Sequence, residues 1–271
     1  MKNLDSSQIE RMNYVDFMAF LEETNRPPGG KESIRQLVLN SFLDRSSHVL
    51  DVGCNTGYCS FEIAHLAKCH VTGIDINKNM IDSANILLKD EIPEFQKLIN
   101  FKVADGQETG LDSDYYDLVM SGGSTVFIPD KLKAFKEYER LVKPWGFVGD
   151  IIFFYHKQPP KELLNEMNQL MGICIEPWDQ KYWENFYAST GLEKYYTYIN
   201  KMEHKTDEEI QKYVTYMAKK KPGLSKECQE VIYNKLFPIM KLFNENHKYL
   251  SFGIYIMRKR HVPIEPSLFG E

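Results

Sequence analysis

Val49-Leu50-Asp51-Val52-Gly53-Cys54-Asn55-Thr56-Gly57 is the stretch whose reading decides the fold. A short apolar run ends in a glycine-rich turn, and a helical stretch over 58–68 follows at once. Glycine lets a backbone turn tightly and come close to a ligand. The unpaired N–H groups at a helix start then face whatever lies in front of the turn. The stretch therefore reads as strand, ligand-binding turn and helix.

Working downstream, strands are predicted over 71–75, 101–103, 116–121 and 147–155, and helices over 77–89 and 131–141. Lys143-Pro144-Trp145-Gly146 reads as a turn before the fifth strand. Strands and helices alternate for more than 100 residues. Such alternation predicts a mostly parallel sheet covered by helices on both faces, which also explains strands that are apolar nearly throughout. Upstream, Ile9, Met12, Val15, Phe17 and Phe20 recur at helical spacing, so 4–24 is predicted as one amphipathic helix. Asn25-Arg26-Pro27-Pro28-Gly29-Gly30 breaks it, and a second helix is expected over 31–43. Beyond 155, helices are predicted over 159–171, 179–189, 207–219 and 226–244, strands over 195–199 and 249–257, and a loose tail over 262–271.

The 271 residues are 43% hydrophobic and 26% charged, the balance of a globular protein. A net charge of −5 supplies no global basic field for nucleic acid, which is not expected as a partner. The five cysteines, Cys54, Cys59, Cys69, Cys174 and Cys228, show no CxxC spacing and indicate no metal site or disulfide framework. They suit a reducing cytosol. With no signal-peptide core and no run of about 20 apolar residues, a cytoplasmic protein without a membrane partner is expected. The oligomeric state is left open.

Three candidate binding positions fall at the ends of successive strands. They are the Gly53–Gly57 turn, Asp75 about twenty residues later, where a carboxylate accepts ribose hydroxyls, and Asp105 at the end of the third strand. Open α/β sheets bind ligands at these carboxyl ends. Dinucleotide folds use G-x-G-x-x-G there, whereas this chain has Asp51-x-Gly53-x-Asn55-x-Gly57.

That pattern resembles the first motif, D/E-x-G-x-G-x-G, of the class I S-adenosylmethionine-dependent methyltransferases. The resemblance covers residues 46–155 and, more loosely, 249–257. It implies an α/β fold with a seven-stranded, mostly parallel Rossmann-like sheet, N-terminal helices over 1–45, and a cofactor-binding core over 46–155. It also implies helical cap or substrate elements over 156–190 and 201–246, and a last strand over 249–258, all as one domain spanning 1–271. The final two strands are expected as an antiparallel hairpin. By the resemblance, Asp51, Gly53, Asn55 and Gly57 belong to the turn that lines the methionine part of S-adenosylmethionine. Asp75 holds the ribose, Ile76 packs on the adenine, Asp105 bonds the adenine amino group beside Gly106, and Ser121 and Gly122 adjoin the sulfonium. Asn55 departs from the motif's middle glycine, but asparagine tolerates left-handed backbone. Tyr14 is expected to pack over the cofactor, and Arg26 or the Gly29-Gly30 backbone to contact its carboxylate.

The acceptor side is less defined. Ser121-Gly122-Gly123-Ser124-Thr125-Val126-Phe127 is small and then apolar, and it lacks the Asn-Pro-Pro-Tyr type motif often used on adenine and glutamine amides. A small-molecule acceptor is expected, with S-adenosylhomocysteine as the other product. Trp178, Tyr182 and Trp183 are candidate pocket walls, and His156 is the candidate base. The alternatives are a tRNA or protein methyltransferase of the same fold, a nicotinamide-dependent oxidoreductase, and a non-methylating S-adenosylmethionine-binding protein.

Overall fold

The computed structural model describes residues 5–21, 26–172 and 174–260. The elements are α1 (Ser6–Arg11), α2 (Tyr14–Phe20), α3 (Gly30–Asn40), β1 (His48–Val52), α4 (Tyr58–Ala67), β2 (His70–Asp75), α5 (Lys78–Leu88), α6 (Pro93–Gln96), β3 (Ile99–Val103) and β4 (Tyr116–Ser121). A 3-10 turn (Thr125–Phe127) follows. Then come α7 (Lys131–Leu141), β5 (Val142–Tyr155), α8 (Lys161–Met171), α9 (Gln180–Ala188), β6 (Glu193–Lys201), α10 (Asp207–Lys220), α11 (Lys226–His247) and β7 (Leu250–Arg258).

Two compact units are distinguished. The α/β unit comprises 25–153, 181–200 and 252–271; the helical unit comprises 1–24, 154–180 and 201–251. Among the described residues the sheet has seven strands in the order β3-β2-β1-β4-β5-β7-β6. β1 pairs in parallel with β2 and β4, β2 with β3, and β4 with β5. β7 runs against β5: Lys259 exchanges backbone hydrogen bonds with Trp145 and Gly146, and His156 at the other end donates to Tyr249. Val49, Leu50, Leu118, Val119, Ile151 and Ile152 are fully buried in the middle strands, as a sheet covered on both faces requires. The strand order reverses at β1 and β4, so a crevice opens at their carboxyl ends, where such sheets bind ligands.

The helical unit has its own core, which includes Ile9, Phe17, Val214, Ile232 and Leu236. Lys235 donates to the carbonyls of Ile9 (3.2 Å) and Met12 (2.6 Å) at the end of α1, where a cation suits the helix dipole.

Two expectations need correction. The helix expected over 4–24 is two short ones, because Asn13 caps α2: its Oδ1 accepts from the Asp16 N–H at 2.9 Å. The break at 143–146 does not precede the fifth strand but lies inside it. Tyr116 pairs with Val142 and Leu118 with Phe147, so five steps on β5 answer two on β4, with Trp145 at φ 66°. This is a bulge of several residues. The tail expected over 262–271 lies outside the described residues. Among the described residues, no helix is long and apolar enough to cross a membrane.

Candidate functional site

The turn after β1 is built around left-handed backbone at Gly53 (φ 71°), Asn55 (φ 50°) and Gly57 (φ 92°). Asn55 therefore replaces a glycine without changing the path, and its side chain helps: Oδ1 accepts the Thr56 N–H at 2.7 Å. Gly53 and Cys54 both donate to the Ile74 carbonyl (2.8 and 2.9 Å), which ties the turn to β2. At Gly53 an added Cβ would collide with Ser124; at Gly57 it would lie 2.5 Å from the Phe101 ring. Neither position has room for a side chain.

Asp75 closes the turn from the next strand. Its Oδ2 accepts from the Asn55 N–H (2.9 Å), and its Oδ1 from the Asn77 N–H (2.8 Å). A carboxylate oxygen has two acceptor sites, so each oxygen keeps one for a ligand. Ile76, the next residue, is 72% exposed, an apolar side chain offered to something outside the core. At the end of β3, Asp105 Oδ1 accepts from the Gln107 N–H at 2.8 Å, and an added Cβ at Gly106 would lie 2.6 Å from Val52. The carboxyl ends of β1, β2 and β3 thus lie side by side, with Asp75 and Asp105 close to them.

Asp51 is fully buried on β1. Ser60 donates to Oδ2 at 2.7 Å, while Oδ1 has no hydrogen-bond partner. Burial pushes its pKa up to about 7; the Ser60 bond opposes this and the nearby Asp75 charge adds to it. An unpartnered buried carboxylate oxygen beside the Gly53–Gly57 turn calls for an explanation, because buried polar atoms are nearly always hydrogen-bonded.

The segment before α3 packs beside the loop after β4. An added Cβ at Gly122 would fall 2.6 Å from Cys59 Sγ and 3.6 Å from Pro27, and one at Gly123 would fall 3.3 Å from Pro28. The exposed Arg26 guanidinium sits 5.7 Å from the centre of the Tyr58 ring, on the first residue of α4. Ser121, expected beside the ligand, is fully buried: its hydroxyl pairs with Ser124 Oγ at 2.8 Å and accepts the Thr125 N–H at 3.2 Å. It shapes the loop after β4 from beneath rather than lining the crevice.

The acceptor-side expectations are dispersed. Trp183 is fully buried among Tyr182, Phe186 and Tyr187, so it serves as a core ring and not as an open pocket wall. Tyr182 is half-buried beside it, also in the α/β unit. Trp178, Tyr14 and His156 belong to the helical unit. The Trp178 carbonyl accepts from Tyr155, the Tyr14 ring lies 5.8 Å from Phe243, and the exposed His156 bonds Ser251 Oγ at 2.9 Å.

Sequence reading did not show that Ser124, Thr125, Asp150 and Tyr187 are linked by hydrogen bonds beneath the loop after β4. One signal was available. Asp150 is a lone charge in the apolar run Phe147–Tyr155, and a carboxyl in a doubly covered strand must find partners.

Residues 50–149 match a family described as a methyltransferase domain. Phosphoethanolamine N-methyltransferase 1 of Zea mays is 31% identical over 158 residues, 58% of this chain and 30% of that one. The chain thus spans less than a third of that relative's length. Among solved structures, the MccD protein shares the fold with a TM-score of 0.75 and 23% identity, over 87% of this chain and 100% of that one. The Haemonchus contortus phosphoethanolamine N-methyltransferase 2, in complex with phosphomonomethylethanolamine and S-adenosylhomocysteine, aligns with a TM-score of 0.69 and 18% identity, over 95% and 61%. Domain match, sheet order and glycine-rich turn agree in supporting a class I S-adenosylmethionine-dependent methyltransferase.

Proposed function

We propose that this chain transfers the methyl group of S-adenosylmethionine to a small-molecule acceptor. The observation that carries the cofactor reading is the Asp75 carboxylate, braced by the Asn55 and Asn77 N–H groups beside the exposed Ile76. A ribose fits the free acceptor sites of Asp75, an adenine face fits Ile76, and Asp105 fits the adenine amino group. The unpartnered Oδ1 of Asp51 fits an ammonium, and the left-handed backbone of Gly53, Asn55 and Gly57 shapes the turn that would carry the chain between ribose and ammonium. Arg26, over the Tyr58 ring at the start of α4, would meet the carboxylate.

Bound there, the cofactor supplies an electrophilic methyl group on a sulfonium. The work of the chain is alignment and exclusion of water. Gly122 and Gly123 keep the floor of the crevice free of side chains, and Pro27 and Pro28 cover it. A base is required only where the acceptor carries a proton on the reacting atom. Support for a small acceptor comes from the relatives named for phosphoethanolamine and from the net charge of −5, which disfavours RNA.

The test is transfer of labelled methyl from S-adenosylmethionine into a cell extract separated into small-molecule, RNA and protein fractions, with phosphoethanolamine assayed alongside. Label in the small-molecule fraction, lost in Asp75→Ala, is the expected result. Label in RNA or protein overturns the acceptor class. Absence of label together with intact cofactor binding favours a non-methylating role. A smaller effect is expected at Arg26. Removing one charge-assisted contact at an exposed position by Arg26→Ala weakens S-adenosylhomocysteine binding by about fivefold to tenfold. Unchanged affinity in a titration would remove Arg26 from the site.

A further inference from the structure

Asp150 is fully buried on β5, opposite Ser121 on β4. Both of its oxygens are engaged. Thr125 Oγ1 donates to Oδ1 at 2.9 Å, and the Tyr187 hydroxyl of α9 donates to Oδ2 at 2.9 Å. From Thr125 the bonding continues toward the crevice. The Thr125 N–H donates to Ser121 Oγ, Ser121 pairs with Ser124 Oγ at 2.8 Å, and Ser124 donates to the Val52 carbonyl at 2.7 Å, immediately before Gly53. The segment held at these points contains Gly122 and Gly123, the floor of the crevice. Gly123 has φ 108°, and neither glycine has a side chain to anchor it. The loop's position is therefore set by its neighbours Ser121, Ser124 and Thr125.

We infer that Asp150 and Tyr187 are positioning residues for the cofactor site, and that they hold the Gly122–Gly123 loop in its binding shape through Thr125. The inference rests on the cofactor reading above. Its physical basis is the cost of the arrangement. A buried carboxyl in an apolar strand is unfavourable by itself; burial pushes the Asp150 pKa up to about 7, against the opposing hydrogen bonds from Tyr187 and Thr125. A merely structural strand position would be filled more stably by Val or Ile. The carboxyl instead joins the β4 loop to α9, an element outside the β1-to-β5 core. If the held shape is the binding-competent one, apparent affinity falls in proportion to the fraction of molecules that retain it.

The experiment measures S-adenosylhomocysteine affinity and thermal midpoint together, in the full chain, for wild type, Thr125→Val, Thr125→Ser and Tyr187→Phe. Thr125→Val keeps the volume and removes the hydroxyl; Kd is expected to rise about tenfold as the competent fraction falls to about a tenth. Thr125→Ser restores the donor and is expected to return Kd to within about threefold of wild type. Tyr187→Phe deletes one oxygen atom from the far end of the link, is expected to raise Kd several-fold, and keeps the test alive if Thr125→Val fails to fold. A structural role alone lowers the midpoint but leaves affinity unchanged well below it. Thr125→Val and Tyr187→Phe that bind like wild type overturn the inference, whatever their midpoints. Thr125→Ser as weak as Thr125→Val also overturns it, because packing and not the hydrogen bond would then be responsible. Wild-type protein that fails to bind overturns the cofactor reading itself, and this inference with it.

Discussion

Asp75→Ala is expected to weaken S-adenosylhomocysteine binding by about 100-fold or more, and Asp75→Asn to do nearly as much damage. The carboxylate has two tasks. Its oxygens separately hold the Asn55 N–H at 2.9 Å and the Asn77 N–H at 2.8 Å, which shapes the turn before any ligand arrives. Their remaining acceptor sites face the proposed ribose. Hydrogen bonds to a charged group contribute about 1.5–3 kcal/mol each, and loss of roughly 2.7 kcal/mol is 100-fold in affinity. Asparagine does not rescue, because an amide has one acceptor oxygen and an NH2 that would confront one of the two backbone N–H groups. Calorimetric titration of both variants checks this. Near-normal affinity in Asp75→Asn would show that one of the two backbone contacts is dispensable; near-normal affinity in Asp75→Ala would move the ribose elsewhere.

The second large effect is a pH dependence. The buried Asp51 carboxyl titrates near 7 in the ligand-free protein, and the proposed ammonium of the ligand favours its ionised form. Binding should therefore release a proton from Asp51. Affinity should be highest between about pH 7 and 8, fall above that as the ligand's amino group loses its proton, and fall about tenfold per pH unit below 7, or roughly 100-fold by pH 5. At pH 7 about half a proton should leave per ligand bound, measurable by titration in buffers of different ionisation enthalpy. Asp51→Asn should abolish the fall below pH 7 and bind weakly at every pH. An Asp51→Asn protein with the wild-type profile would exclude Asp51 as its source.

The same shift fixes the sign for stability. The folded pKa values of Asp51 and Asp150 lie above their unfolded values, so their contribution is full below about pH 4 and is lost as pH rises through 7. His48 and His247 have depressed values, which act the other way below their ordinary range. The clean window is therefore above about 6.5. Between there and pH 8 the ligand-free thermal midpoint should fall, less steeply in Asp51→Asn.

Much of this molecule was legible from local sequence. β1 and its turn, β4 and α7 are where the apolar runs and the glycines place them. Asn55 adopts the left-handed conformation that its replacement of a glycine required. Reading was weaker where one local signal competed with another. Asn13 is a better helix cap than interior residue and divided a helix whose apolar spacing ran straight through it. Lys143-Pro144-Trp145-Gly146 is turn chemistry that β-sheet pairing on both sides absorbed as a bulge.

What the sequence determined by itself is the order of strands and helices, the backbone shape of the Gly53–Gly57 turn, and the placing of Asp75 and Asp105 at strand ends. These follow from periodicity, glycine conformation and spacing, which act over a few residues. Only tertiary structure decided which of the site's polar groups are satisfied. Ser121 was turned inward, Trp183 was enclosed by rings, Asp51 was left with an open acceptor, and Asp150 was joined to Thr125 and Tyr187 across 25 and 37 residues of chain. The reason is physical: burial and hydrogen-bond partnership are properties of the three-dimensional neighbourhood, and distant segments supply that neighbourhood only once the sheet has formed.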